Sequence, residues 1–155
     1  MALRVGQKAP PFDVVASNGK RLRLEDYLGT KNVVLYFYPG DFTPVCTKEA
    51  CGFRDIYDDL ASHDTEVIGV SLDEDASHER FVKEHRLPFS LVSDEKKTLT
   101  HAYAAASLFR NLIGKNNRIT YVIDKKGVIA GVFDSELRAS KHIDGVKELI
   151  AKLPA

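Results

Sequence analysis

The feature that most constrains this chain is the run Val33-Val34-Leu35-Tyr36-Phe37-Tyr38. It is six apolar or aromatic residues without polar alternation, closed by Pro39-Gly40. A run this short, rich in β-branched and aromatic side chains, reads as a strand buried on both faces, and such a strand needs a layer packed above it and another below. Thr43-Pro44 then marks a helix start, since Thr is a good N-cap and Pro suits the first helical position. Ala50, Phe53, Ile56, Tyr57 and Leu60 recur at helical spacing and carry that helix to about Ser62.

The flanking segments supply the other layers. Phe12, Val14, Leu22 and Leu24 alternate with polar residues around Ser17-Asn18-Gly19, which predicts a small hairpin over Pro11 to Leu24. A helical turn is expected at Leu24–Leu28. Strands are predicted at Glu66–Leu72, Phe89–Val92, Ile119–Ile123 and Val128–Phe133, the last two joined by the turn Asp124-Lys125-Lys126-Gly127. Helices are predicted at Ala76–Glu84, Thr98–Ala106 and Leu137–Leu153, the last with Ile143, Val146, Leu149 and Ile150 on one face. The order of elements implies an α/β fold: a mixed central sheet, helices on both faces, right-handed crossovers in the parallel part and an antiparallel edge. No linker, repeat or low-complexity tract interrupts the chain, so residues 1–155 are expected to form one domain.

Composition removes several function classes. Lys plus Arg number 22 and so do Asp plus Glu, so neither a basic face for nucleic acid nor an acidic tail is expected. No apolar run approaches the roughly 20 residues that span a membrane. The opening MALRVGQKAPPF lacks the apolar centre of a secretory signal, and two cysteines do not make a disulfide scaffold. A cytoplasmic setting is expected, in which closely spaced cysteines are more often catalytic or metal-binding than stapled.

With Pro44 first in the helix, Cys46 is third. There backbone N–H groups are unpaired and the helix dipole is positive. Thiols so placed are generally more acidic than a free thiol, and the thiolate is the nucleophile. The alternative for any single cysteine is a small buried hydrophobe. Cys51 lies five residues on. Helix geometry separates such positions by roughly 8–9 Å and turns them far apart, whereas a disulfide needs Cα atoms within about 7 Å. The two can therefore bond only if the helix unwinds. A structural zinc needs four ligands, and the five histidines are dispersed without ligand spacing, so no metal is expected. A coincidental buried pair remains open at this point.

Pro39, Thr43 and Cys46 match the peroxiredoxin pattern P-x-x-x-T-x-x-C. The longer string YFYPGDFTPVCTKEACGF resembles the bacterioferritin comigratory protein, or peroxiredoxin Q, subgroup, and the similarity runs from VGQKAPPF to the helical C-terminus. Position 45 is Val where the subgroup usually has Gly, and Ala104-Ala105-Ala106-Ser107-Leu108-Phe109 stands where it often has Gly-Val-Trp. The resemblance implies a thioredoxin-like fold with an N-terminal hairpin extension. It implies a thiol-dependent peroxidase without cofactor, acting on hydrogen peroxide and organic hydroperoxides.

In that reading Cys46 is the peroxidatic residue and Cys51 the resolving one, joined in an intramolecular disulfide that thioredoxin or a similar dithiol reduces. No partner subunit is then needed, and a monomer is expected. Arg118, just before the strand ITYVID, would be the active-site arginine. If that strand runs antiparallel to Val33–Tyr38, Arg118 approaches Cys46; otherwise it is a solvated loop residue beside Lys115. Thr43 would cap the helix and hydrogen-bond thiolate or peroxide, Pro39 would shield the thiolate, and Val45 and Cys46 would offer backbone N–H groups. Glu49 would orient Arg118, or else be a solvated first-turn acid. The competing activity is that of a thioredoxin-type disulfide oxidoreductase, which normally carries C-x-x-C where this chain has C-x-x-x-x-C.

Overall fold

The computed structural model describes residues 2–106 and 115–154; Ser107, Leu108 and Phe109 of the stretch noted above lie outside them. The six-residue apolar run forms the central strand β3 (Asn32–Phe37), every residue of which is buried. It feeds α1 (Pro44–Ser62), with Thr43 at the N-cap and Pro44 in the first turn, as the Thr-Pro signal predicts. The remaining elements are β1 (Asp13–Val15), β2 (Arg21–Arg23), β4 (Thr65–Ser71), α2 (Asp75–His85), β5 (Ser90–Ser93), α3 (Thr98–Ala102), β6 (Ile119–Ile123), β7 (Ile129–Asp134) and α4 (Ala139–Lys152).

Five strands make one sheet in the order β5-β4-β3-β6-β7, and β1 pairs with β2 in a separate hairpin. β3 is parallel to β4 and antiparallel to β6, with Phe37 opposite Ile119. That register places the entry to β6 beside the exit from β3. Period-2 alternation then divides β3 between two cores. Val33, Leu35 and Phe37 pack with the hairpin and with Leu99 and Tyr103, whereas Val34, Tyr36 and Tyr38 pack against Ala50, Phe53, Phe81, Val146 and Ile150. Helices α1, α2 and α4 thus cover one face, and α3 with the hairpin covers the other. Gly52 permits the close approach of α1 to α4, because a Cβ there would sit 2.7 Å from Ile143 Cγ1.

Two expected helices are shorter than their sequence pattern. α3 stops at Ala102 rather than Ala106: Ala104 turns left-handed at φ 52°, and Ala105 N–H bonds back to Thr100 O at 2.8 Å. Long-range ties impose that end. The Tyr103 hydroxyl donates to Pro10 O, Tyr121 donates to Tyr103 O at 2.7 Å, and Asn117 N–H donates to Ala105 O at 2.7 Å. Alanine propensity is a weak preference, and these fixed partners override it. α4 begins at Ala139, leaving Leu137 outside it and 83% exposed.

Candidate active site

The site forms in the loop between β3 and α1. Phe42 there has φ 63°, a left-handed conformation that a phenylalanine seldom adopts, so its surroundings must hold it. The Asp41 side chain accepts hydrogen bonds from Tyr38 at 2.6 Å and Ser77 at 2.8 Å, and pairs with His78 Nδ1 at 2.7 Å. Asp41 N–H donates to Asp73 Oδ2 at 2.7 Å. The Phe42 ring meets Phe81 edge-on at 5.1 Å. The turn after β4 and helix α2 therefore clamp the loop from one side. The oxygen and nitrogen ligand atoms of Asp41, Asp73 and His78 lie within 4.8 Å of one another, but hydrogen bonds inside the clamp already engage them.

Past the clamp, Pro39 is half-buried and Thr43 donates its hydroxyl to Gly40 O at 3.0 Å. This corrects one expectation: the Thr43 side chain makes no capping bond to α1. The first intrahelical bond runs from Thr47 N–H to Thr43 O at 2.9 Å. The N–H groups of Val45 and Cys46 precede it and stay outside the helical ladder. Thr43 Oγ1, its proton committed to Gly40, is free to accept a hydrogen bond. Cys46 is 1% exposed.

Arg118 enters from β6, as the antiparallel pairing requires, and is 4% exposed rather than solvated. Its Nε donates to Glu136 O at 2.9 Å, its backbone N–H to Glu136 Oε1 at 3.0 Å, and its Nη1 to Glu49 Oε1 at 3.0 Å. Through Glu49, one turn past Cys46, the guanidinium is anchored beside the start of α1. Burial pulls the pKa of Arg118 down, but attraction to Glu49 and Cys46 outweighs it and leaves the group above its ordinary value.

Glu49 is fully buried, which excludes the solvated-acid alternative. Burial pushes its pKa up to about 8 against the pull of Arg118. His142, also fully buried, lies behind it. His142 Nε2 faces Ser135 O at 2.8 Å, its Nδ1 meets Thr120 Oγ1 at 2.8 Å, and Glu49 Oε2 lies 3.5 Å from Nδ1. Burial pushes the His142 pKa down. Burial of both groups thus works against an ion pair across this distance. Cys51, two residues past Glu49, is half-buried with its sulfur 3.8 Å from His85 Nδ1.

The predicted residues Pro39, Thr43, Val45, Cys46, Glu49, Cys51 and Arg118 all fall around the start of α1. Sequence reasoning missed Glu136, Thr120 and three histidines. His78, His85 and His142 are dispersed in the chain and come from α2 and α4 to different sides of the site, so no spacing marks them.

A buried thiol in the first turn of a helix, at the carboxyl end of the central strand and faced by a guanidinium, defines a thiol-redox enzyme of thioredoxin-like fold. The family model described as AhpC/TSA matches residues 5–132, and the chain belongs to that family. It is 43% identical over 149 residues to "Peroxiredoxin Q, chloroplastic" of Populus jackii, covering 96% of this chain and 68% of that protein. It is 40% identical over 157 residues to "Putative peroxiredoxin bcp" of Coxiella burnetii, covering 99% and 100%. The solved structure of peroxidoxin BcpB from Mycobacterium tuberculosis superposes with a TM-score of 0.89 at 28% identity, covering 99% of each chain. The protein is a peroxiredoxin, a thiol-dependent peroxidase.

Proposed function

We propose that Cys46 is the peroxidatic residue, and its buried place in the first turn of α1, with the Arg118 guanidinium fixed beside that turn by Glu136 and Glu49, carries this reading. The Cys46 thiolate attacks the terminal oxygen of a hydroperoxide. The O–O bond breaks, and the leaving oxygen departs as water or alcohol after taking a proton. Val45 and Cys46 N–H groups and Arg118 donate to the oxygens as negative charge moves along the bond, and Thr43 Oγ1 accepts the peroxide O–H. Pro39 excludes water from the thiolate. The product is a Cys46 sulfenic acid.

Cys51 then resolves it by forming an intramolecular disulfide. Both cysteines lie on the continuous helix α1, and i, i+5 positions are too far apart to bond there, so its first turns unwind. The disulfide so formed sits in opened, accessible chain, which suits reduction by a dithiol protein such as thioredoxin. Because the bond closes within one chain, the enzyme works as a monomer.

Consumption of hydrogen peroxide and of an organic hydroperoxide, followed with and without a thioredoxin system, tests the reading. Wild type turns over repeatedly only with the reductant, and Cys46→Ser is inactive. A Cys46→Ser variant that still turns over would remove Cys46 from the centre of the mechanism.

A further inference from the structure

The half-buried thiol of Cys51 faces the imidazole of His85, with Sγ 3.8 Å from Nδ1. Three contacts hold His85 there, one on its backbone carbonyl and two on its ring. Arg54, one turn past Cys51 on α1, donates Nη1 to His85 O at 2.9 Å. Phe81, one turn earlier on α2, meets the imidazole edge-on at 5.0 Å. Phe42, from the strained loop before α1, lies 6.4 Å from it. His85 is also the last residue of α2, with Arg86 left-handed at φ 52° immediately after it. The chain turns away at that point, so the ring position is set by the helix end and not by a mobile loop. The contact joins the end of α2 to the one helix that must unwind. None of the peroxide-step groups, Cys46, Arg118 and Thr43, bonds to His85.

We infer that His85 is the base that activates Cys51 for the resolving step. The inference rests on the reading of Cys51 as the resolving residue. A thiol must lose its proton before it attacks a sulfenic acid, and only the thiolate is nucleophilic. Histidine is the side chain whose ordinary pKa suits it to take that proton near neutral pH. His85 Nδ1 accepts the Cys51 proton, and the Cys51 sulfur forms a bond to the Cys46 sulfur. The Cys46 S–O bond breaks, and the departing hydroxide takes a proton from the imidazolium or from solvent and leaves as water. Cys51 is oxidised and Cys46 reduced by the same electron pair, and no further reactant is needed. His85 is half-buried, so its proton can exchange with solvent between turnovers. Of the charged groups, Arg54 on α1 bonds to His85 O and pairs with the exposed Asp55, while Lys83, Glu84 and Arg86, next to His85 in the chain, are exposed.

The test separates the thiol from the peroxide chemistry. In a Cys46→Ser background the only remaining thiol is Cys51, and its alkylation by iodoacetamide is followed from pH 6 to 9. His85→Gln, which keeps polarity but not basicity, is expected to slow alkylation about tenfold near pH 7 and to converge with the parent at pH 9, since alkylation tracks thiolate population. His85→Ala with added imidazole regains most of the rate. With both cysteines present, His85→Gln slows disulfide formation after a peroxide pulse by a similar factor, and dimedone-reactive Cys46 persists longer. Identical alkylation profiles with and without His85 would overturn the inference. A response of alkylation to His85, together with sulfenic acid whose lifetime is the same with or without Cys51, would instead refute the resolving role on which the inference rests.

Discussion

Glu49→Gln is the substitution whose outcome the structure fixes most sharply. The carboxyl is fully buried, with one oxygen on Arg118 and the other without a hydrogen-bond partner, 3.5 Å from His142 Nδ1. A glutamine keeps that geometry: its oxygen accepts from Arg118 and its amide replaces the acid proton facing His142. The folded-state pKa of about 8 lies above the ordinary 4.5, with burial as the main cause. A raised carboxyl pKa means that the folded state holds a proton the unfolded chain has released. Wild type therefore loses stability as pH climbs from about 4.5 to about 8, at up to roughly 1.4 kcal/mol per unit. Glu49→Gln does not titrate and lacks this loss. At pH 5 the two proteins should match. At pH 8 the glutamine form should be more stable by a few kcal/mol, or about 5–10 °C in Tm for a domain of this size. Thermal unfolding of the reduced proteins at pH 5, 6.5 and 8 measures it, and the peroxidase rate near pH 7 should fall less than tenfold. A glutamine variant that becomes progressively less stable than wild type as pH rises would refute the reasoning. It would mean that Glu49 is ionised and that its pairing with Arg118 exceeds the cost of burial.

Three further outcomes follow from the same geometry. Arg118→Ala removes a donor to the charge that develops on the peroxide and should slow sulfenic acid formation by roughly 10²–10³; stopped-flow peroxide reduction at an unchanged rate would return the residue to a structural role. Cys51→Ser should complete one reaction with peroxide and then accumulate Cys46 sulfenic acid that dimedone traps, whereas unimpaired cycling with thioredoxin would show that another group resolves it. Oxidation should strip hydrogen-exchange protection from residues 44–53 while β3 keeps its own, and equal protection in both redox states would mean that α1 never opens.

The parts of the fold that were legible in sequence are those set by local patterns. The unalternating run of β3 announced a strand buried on both faces, and Thr43-Pro44 located the start of α1. The Asp124–Gly127 turn, whose Asp124 Oδ1 accepts N–H bonds from Lys126 and Val128, located the β6–β7 hairpin. Distant partners decided the rest. α3 ends where Tyr103 is tied to Pro10 and Tyr121, residues 93 and 18 positions away, and no local propensity carries that information. In the site, Cys46 stood out through its place after the central strand, and Thr43 and Arg118 through the resemblance to the peroxiredoxin motif, with which the strand register agrees. His142 did not, because it approaches Glu49 from α4 at the far end of the chain. The Thr43 hydroxyl was expected on the helix, but Gly40 O is fixed nearer to it by the loop that the Asp41 clamp holds.

In the proposed mechanism the segment from Pro44 to Phe53 has two opposed tasks. For the peroxide step it must be rigid: Cys46, Glu49, Ala50 and Phe53 are each at most 1% exposed, and Glu49 helps aim Arg118. For the proposed resolving step the same turns would have to come apart. Glu49 lies between the two cysteines, so unwinding that joins them also withdraws its carboxyl from Arg118 and His142 into water. There its pKa returns towards 4.5, and at neutral pH it ionises. Proton release thus favours the open form as pH rises, and offsets part of the loss of buried contacts. Sub-global openings of this kind are ordinary in folded proteins when their free energy is small. A carboxylate stably paired in the closed form would oppose opening, whereas an acid that burial holds protonated would leave the helix formed in the reduced enzyme yet close enough to opening for the proposed step.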